Sequence, residues 1–158
     1  MGVSSMIILR NMTDEEFKEY LEVSIKEYAE EKVKAGNLKK EGSYEKALEE
    51  FNTLLPNGKE TKDNYLFSIV EEENNVGIFW LSKKDEHTGF IYDIKIFDIY
   101  QGRGYGRQAM EAIEVFAKNI GIKEIGLHVF GHNKRAFNLY KSLKYEPINI
   151  VMSKKLLD

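Results

Sequence analysis

The chain has 158 residues, 42% of them aliphatic or aromatic, and a formal net charge of −3. That length sits in the single-domain range and suffices for a sizeable core, while the absence of cysteine excludes disulfides, thiolate metal sites and a cysteine nucleophile. No apolar run is long enough to span a membrane, and the overall acidity, without a basic stripe bearing interleaved aromatics, argues against nucleic acid.

The first five residues read as an extension, with Met6 an alternative start. Met6-Ile7-Ile8-Leu9 lacks a signal-peptide cleavage pattern, and Met6 stands where a myristoylation motif wants Ser or Thr. A cytoplasmic protein with one domain over 6–158 is the plain expectation. Ile7 to Arg10 reads as a short strand. Thr13-x-x-Glu16 is a capping box, opening a helix with Phe17, Tyr20, Leu21, Ser24, Ile25 and Tyr28 on one face. After the charged turn Gly36 to Gly42, Ser43 is expected to cap a second helix, striped by Tyr44, Ala47, Leu48, Phe51, Leu54 and Leu55 and ended by Pro56-Asn57-Gly58. Tyr65 to Glu71 and Val76 to Ser82 read as a hairpin, and Gly89 to Phe97 as a third strand of this run. Tyr105 to Lys118 reads as a helix with Ala109, Met110, Ile113, Phe116 and Ala117 inward. Glu124 to Phe130 reads as a strand, Asn133 to Leu143 as a helix, and Pro147 to Lys154 as a last strand. This order predicts an α/β domain with a mixed sheet.

The stretch Tyr100-Gln101-Gly102-Arg103-Gly104-Tyr105-Gly106-Arg107 joins a strand to a helix. Glycines at alternate positions leave backbone N–H groups unobstructed, and the helix N-terminus behind them adds partial positive charge, a cradle for phosphate. A P-loop would need Gly-Lys-Ser/Thr, but Gly106 precedes Arg107 and Gln108. A dinucleotide fingerprint would need glycine where Arg107 stands. The charge is also polarised: residues 14–50 carry a net of −5 and residues 101–155 a net of +6. A positive half would concentrate a polyanionic ligand, although an ordinary solvated surface can look the same.

Gln101, Gly104 and Gly106 fill the fixed positions of Gln/Arg-x-x-Gly-x-Gly/Ala. A second run, Leu127-His128-Val129-Phe130-Gly131-His132-Asn133-Lys134-Arg135-Ala136-Phe137-Asn138-Leu139-Tyr140, follows at the spacing of one helix and one strand. Together they resemble the GNAT-type N-acetyltransferases, well over roughly residues 65 to 155 and in outline over 11–64. The resemblance implies an acyl-CoA N-acyltransferase fold: a mixed, mostly antiparallel central sheet with splayed middle strands and flanking helices. It further implies acetyl-CoA as cosubstrate, with its pyrophosphate on Gln101, Gly102, Arg103, Gly104, Tyr105, Gly106 and Arg107. The thioester arm would pair with main-chain groups at Ile96 and Phe97 and touch Asn133, which also caps its helix. Two positions depart from the family pattern: Asp98, where many relatives have Pro, and Lys144, where they have Gly.

By the same resemblance Tyr140 is the general acid, acetyl transfer is direct within a ternary complex, and the acceptor is a small-molecule or peptide primary amine. No metal is implied; three scattered histidines without paired acids do not suggest one. A protonated amine needs a base before it can attack. His128, with an ordinary pKa of about 6.5, and Asp93, an acid inside the apolar run Tyr92-Asp93-Ile94-Lys95-Ile96, both qualify, and the sequence does not choose between them. His132 and His87 read as loop histidines. Residues 17–55, rich in Glu, Tyr and Phe, are expected to wall the acceptor site. A homodimer is an admissible assembly, and a non-catalytic acyl-CoA-binding module is the alternative to an enzyme.

Overall fold

In a computed structural model that describes residues 6–157, five strands form one sheet in the order β1-β2-β3-β4-β5. They are β1 (Ile7–Asn11), β2 (Asn64–Glu71), β3 (Asn74–Lys83), β4 (Thr88–Ile96) and β5 (Glu124–Leu127). The first four pair antiparallel and β5 pairs parallel to β4, so the sheet is mixed and mostly antiparallel, as expected. The expected extension at 1–5 lies outside the described residues. Helices α1 (Asp14–Lys34) and α2 (Ser43–Leu54) cover one face; α3 (Tyr105–Asn119) and α4 (Lys134–Ser142) belong to the other.

Local chemistry accounts for most boundaries. Thr13 and Glu16 exchange both bonds of the capping box that starts α1. Asn133 caps α4, its Oδ1 accepting from the Ala136 N–H at 3.2 Å. The expected Ser43 cap is corrected: Gly42, at φ 77°, is the N-cap of α2, and Ser43 is its first residue, its hydroxyl donating to Lys40 O. A two-residue turn links β2 to β3, with Glu72 at φ 55°.

Strand β3 is apolar on both sides because both faces are covered. Phe79 and Leu81 pack with Phe67, Ile69, Met110 and Ile113. Ile78 and Trp80 pack with Leu66, Tyr20, Phe51 and Leu55. Adjacent residues go to opposite layers, the period-two alternation of a strand.

One irregularity positions the site. Opposite β4, the register of β3 shifts between Trp80, which faces Asp93, and Leu81, which faces Ile91. Tyr92 is thus an extra residue, a bulge. Tyr92 stacks on Trp80 and Asp93 bonds to Tyr20 of α1, so two neighbouring side chains serve the same α1–α2 layer. Ile94 and Ile96 return to the α3 layer. Near the bulge the β4–β5 ladder also ends, its last pair being Ile91 with Leu127. Beyond it the two strands part, which shortens β5 from the expected Phe130 to Leu127.

The last expected strand, Pro147 to Lys154, is corrected as well. Residues 143–157 form no element, and the side chains from Ile148 onward are exposed. Lys144, at φ 74°, occupies the left-handed position after α4 that favours glycine. A glycine would adopt that conformation without strain.

Candidate active site

The glycine loop leaves β4 through a short helical turn, Asp98–Tyr100, and reaches α3 with Gly102 at φ 80° and Gly104 at φ 84°. No side chain caps α3 at Gly104, so the first N–H groups of the helix are left for a ligand or solvent. A Cβ at Gly102 or Gly104 would meet nothing within 4 Å. Glycine is therefore required by backbone conformation, and the space that a side chain would invade is open. This is the geometry of an anion cradle.

Polar side chains fix the loop. Gln101 donates from Nε2 to Ile96 O at 2.9 Å and accepts from Arg135 at 3.3 Å. Arg107 bonds Ser142 Oγ at 2.6 Å, holding α3 to α4. Around this loop lies a cavity of about 330 Å³, walled by Gln101, Gly102, Gly104, Tyr105, Gly106, Arg107 and Asn133, together with Ile94, Ile96, Tyr100, Arg135, Ala136, Leu139 and Tyr140.

Two expected cofactor-binding residues, Arg103 of the cradle and Phe97 of the arm, fall outside that wall. Arg103 turns back to Ile99 O at 3.3 Å and lies over the Tyr100 ring. Phe97 packs in the α1–α2 layer, and its N–H is already given to Val76 O at 2.9 Å. Ile94, which was not expected there, lines the cavity. Arg135 and Ile94 escaped the sequence reading for one reason: which way they face depends on the α4 docking angle and on the β4 bulge. The one available signal was the position of Arg135 in the first turn after Asn133.

A second cavity, about 990 Å³, opens on the other side of the parted strands. Its walls are α1, α2, the bulged part of β4 and the chain after β5. Glu27, Glu31, Glu49, Glu50 and Asp93 supply acids; Lys32, Lys46 and Lys95 supply bases; Tyr28, Trp80, Phe90, Tyr92 and Phe130 supply aromatic surface. Lys95 is paired with Glu27 at 2.6 Å. The two cavities share Ile94, Asn133, Ala136 and Tyr140. Tyr140 thus stands at the junction.

The three expected catalytic residues, Tyr140, Asp93 and His128, all line the larger cavity. Burial, with a smaller effect of the Asp93 charge, pushes the Tyr140 hydroxyl up to about 12. Burial also raises the Asp93 carboxyl to about 6, against the pull of the 2.8 Å hydrogen bond from Tyr20 Oη. His128 is exposed, edge-on to Phe130, and partial desolvation with the Lys32 charge lowers its pKa, so its imidazole is neutral at pH 7. His132, expected to be a plain loop residue, stacks on Phe130 and pairs with Glu31, tying α1 to the turn before α4.

A glycine cradle beside a gap between two parted strands, with a tyrosine where two cavities join, is the arrangement that the resemblance to N-acetyltransferases implies. Comparison with known proteins gives the family. Residues 17–145 match the acetyltransferase (GNAT) family, and the chain belongs to it. An uncharacterised N-acetyltransferase of Bacillus subtilis, YycN, is 41% identical over 154 residues, spanning 95% of this chain and 99% of its own length. The crystal structure of YycN superposes with a TM-score of 0.93 over 97% of this chain and 100% of that one. A second B. subtilis N-acetyltransferase, YdgE, also uncharacterised, is 28% identical over 94% of this chain and 97% of its own. An aminoglycoside N-acetyltransferase in complex with CoA shares the fold at a TM-score of 0.58 and 14% identity, covering 99% of this chain and 98% of that one. Among the described residues, no helix is long and apolar enough to cross a membrane.

Proposed function

We propose that this acetyltransferase moves the acetyl group of acetyl-CoA directly to a primary amine while both substrates are bound. The observation that carries this reading is the meeting of two cavities at Tyr140: one lies on the glycine cradle, the other is walled by acids and aromatics. Donor and acceptor sites that share Ile94, Asn133, Ala136 and Tyr140 in their walls would bring the two substrates together without a covalent relay through the protein.

The cradle fits the donor by its own structure, since no side chain caps the start of α3 and the space beside Gly102 and Gly104 is open. Those groups, with Arg107 and Arg135, would hold the pyrophosphate, and the arm would run toward Ile94 and Asn133. When bound, acetyl-CoA supplies an activated acyl group as a thioester. Tyr140 keeps its proton at neutral pH because burial disfavours its anion, so it is a neutral donor for the departing sulfur. Asp93 is ionised above about pH 6 and can attract an ammonium group and take up its proton. Tyr20 holds that carboxylate in place. His128, neutral at pH 7, lines the acceptor cavity beside it.

The test is turnover of acetyl-CoA against a broad amine panel, read as release of the CoA thiol. Release with one class of amine is expected, along with higher affinity for CoA than for ATP or NAD. Tight CoA binding with no release for any amine would instead mark a binding module.

A further inference from the structure

Five of the aromatic side chains that line the larger cavity touch one another in a row. Tyr28 of α1 meets Phe51 of α2 at 5.8 Å between ring centres, and Phe51 meets Trp80 at 5.7 Å. Trp80 stacks on Tyr92 at 4.6 Å, and Tyr92 meets Phe90 at 4.9 Å. Phe51 and Trp80 are buried and back the row, while the half-buried Tyr28, Tyr92 and Phe90 give the cavity its apolar surface. The β4 bulge makes this possible, because strict alternation would put Tyr92 and Asp93 on opposite faces. The row of rings therefore runs up to the carboxylate that would receive the amine.

The fixed charges along the row cancel. Besides Asp93, four acids line the cavity: Glu27, Glu31, Glu49 and Glu50. Glu27 is paired with Lys95 at 2.6 Å, and Glu31 with His132. Glu49 and Glu50 follow Lys46 by three and four residues on α2, the spacing at which helical side chains meet. Two further ammonium groups lie on the rings themselves. Lys32 Nζ is 5.5 Å from the centre of Tyr28, and Lys84 Nζ is 4.6 Å from that of Tyr92, to whose hydroxyl it also donates. Four lysines thus stand against those four carboxylates, and ring faces that would attract a cation already carry the protein's own. Asp93 stands apart, since its bonded partner is the uncharged hydroxyl of Tyr20.

Taking the larger cavity as the acceptor site of the proposed transfer, we propose that the acceptor is a monoamine on a flat apolar body. Its one ammonium meets Asp93, its body lies along Tyr92, Phe90 and Tyr28, and amines with two or more cations are poor substrates. A second ammonium in the row would meet two lysines and no uncompensated carboxylate, so the loss of its water shell would go unreturned. An aryl body gains ring contacts beyond the area it buries. The net charge of −5 over residues 14–50 therefore does not make this a site for polycations.

Release of the CoA thiol is compared for phenethylamine, hexylamine, putrescine, spermidine and kanamycin. In kcat/KM, phenethylamine should exceed hexylamine by roughly 3- to 10-fold and each polycation by about 10-fold or more. Lys32→Gln unbalances the wall toward negative charge and should raise kcat/KM for putrescine by about 3-fold or more. Tyr92→Leu should raise KM for phenethylamine roughly 3- to 10-fold. A polycation used as well as phenethylamine, or a Tyr92→Leu variant that binds phenethylamine unchanged, overturns the proposal. Trp80 is the chain's single tryptophan and stacks on Tyr92, so binding can also be read without turnover. With CoA in place of acetyl-CoA, phenethylamine should change Trp80 emission saturably, at a lower concentration than spermidine does. The reverse order, or no change with phenethylamine, contradicts the proposal. Saturable phenethylamine binding with no thiol release from acetyl-CoA for any amine would fail the transfer reading alone and sustain the shape and charge assigned to this cavity.

Discussion

Replacing Asp93 with asparagine tests both the electrostatics of the site and its chemistry. The carboxyl is raised from 3.8 to about 6, chiefly by burial. Holding a group about two pK units above its ordinary value means that ionising it in the fold costs about 3 kcal/mol. Below about pH 4 both folded and unfolded states are protonated, and the full stability is present. Between about pH 4 and pH 6 the unfolded chain releases a proton that the folded one retains, so stability falls as pH rises; above about 6 the loss is complete. Asp93→Asn removes that cost and keeps an oxygen to accept from Tyr20, but leaves an amide N–H₂ with poorer partners, an offset of about 1 kcal/mol. The net gain at pH 8 is about 1–2 kcal/mol, or a rise in Tm of about 2–8 °C for a chain of this size. At about pH 4 the variant gains nothing. Urea denaturation at the two pH values measures the difference. Amine acetylation falls by about 10²-fold or more, and the rise in kcat/KM through about pH 6 disappears with the carboxyl. A variant destabilised at pH 8, or altered equally at both pH values, would refute the claim that Asp93 is a desolvated carboxylate poised as a base.

Tyr140→Phe should lower kcat by about 10²-fold with CoA affinity unchanged by calorimetry; unchanged kcat would remove Tyr140 from the chemistry. Gly104→Val places a branched side chain at φ 84° and into the open cradle, so CoA should no longer raise the Tm. Retained CoA binding would contradict the loop assignment. Lys144→Gly relieves a left-handed lysine and should stabilise the chain by about 1 kcal/mol, read as a higher urea midpoint at an unchanged slope.

Much of this architecture is legible in the residues because local rules and tertiary packing agree. Thr13 with Glu16, Asn133 before Ala136, and glycines at the entrance to α3 each announce a helix start, and the structure uses all three. What escaped depends on relations between distant segments. The bulge that turns Tyr92 and Asp93 to the same side follows from how β4 meets Trp80, and strict alternation would have separated them. The bonds from Tyr20 to Asp93 and from Arg135 to Gln101 join residues far apart in sequence. Ser43 looked like a cap by residue type, but Gly42 holds the left-handed conformation at that position. The tail was read as a strand from its apolar alternation, but among the described residues no strand pairs with it, and alternation without a ladder does not make a strand.

The measurement that bears most directly on the central claim is an initial-velocity study of a reactive amine, varying acetyl-CoA and amine together, with the protein itself weighed by mass spectrometry during turnover. Two cavities meeting at Tyr140 predict lines that intersect, an acetylated amine, and a chain that never carries an acetyl group as an intermediate. Parallel lines, with acetyl transiently attached to the protein, would contradict direct transfer.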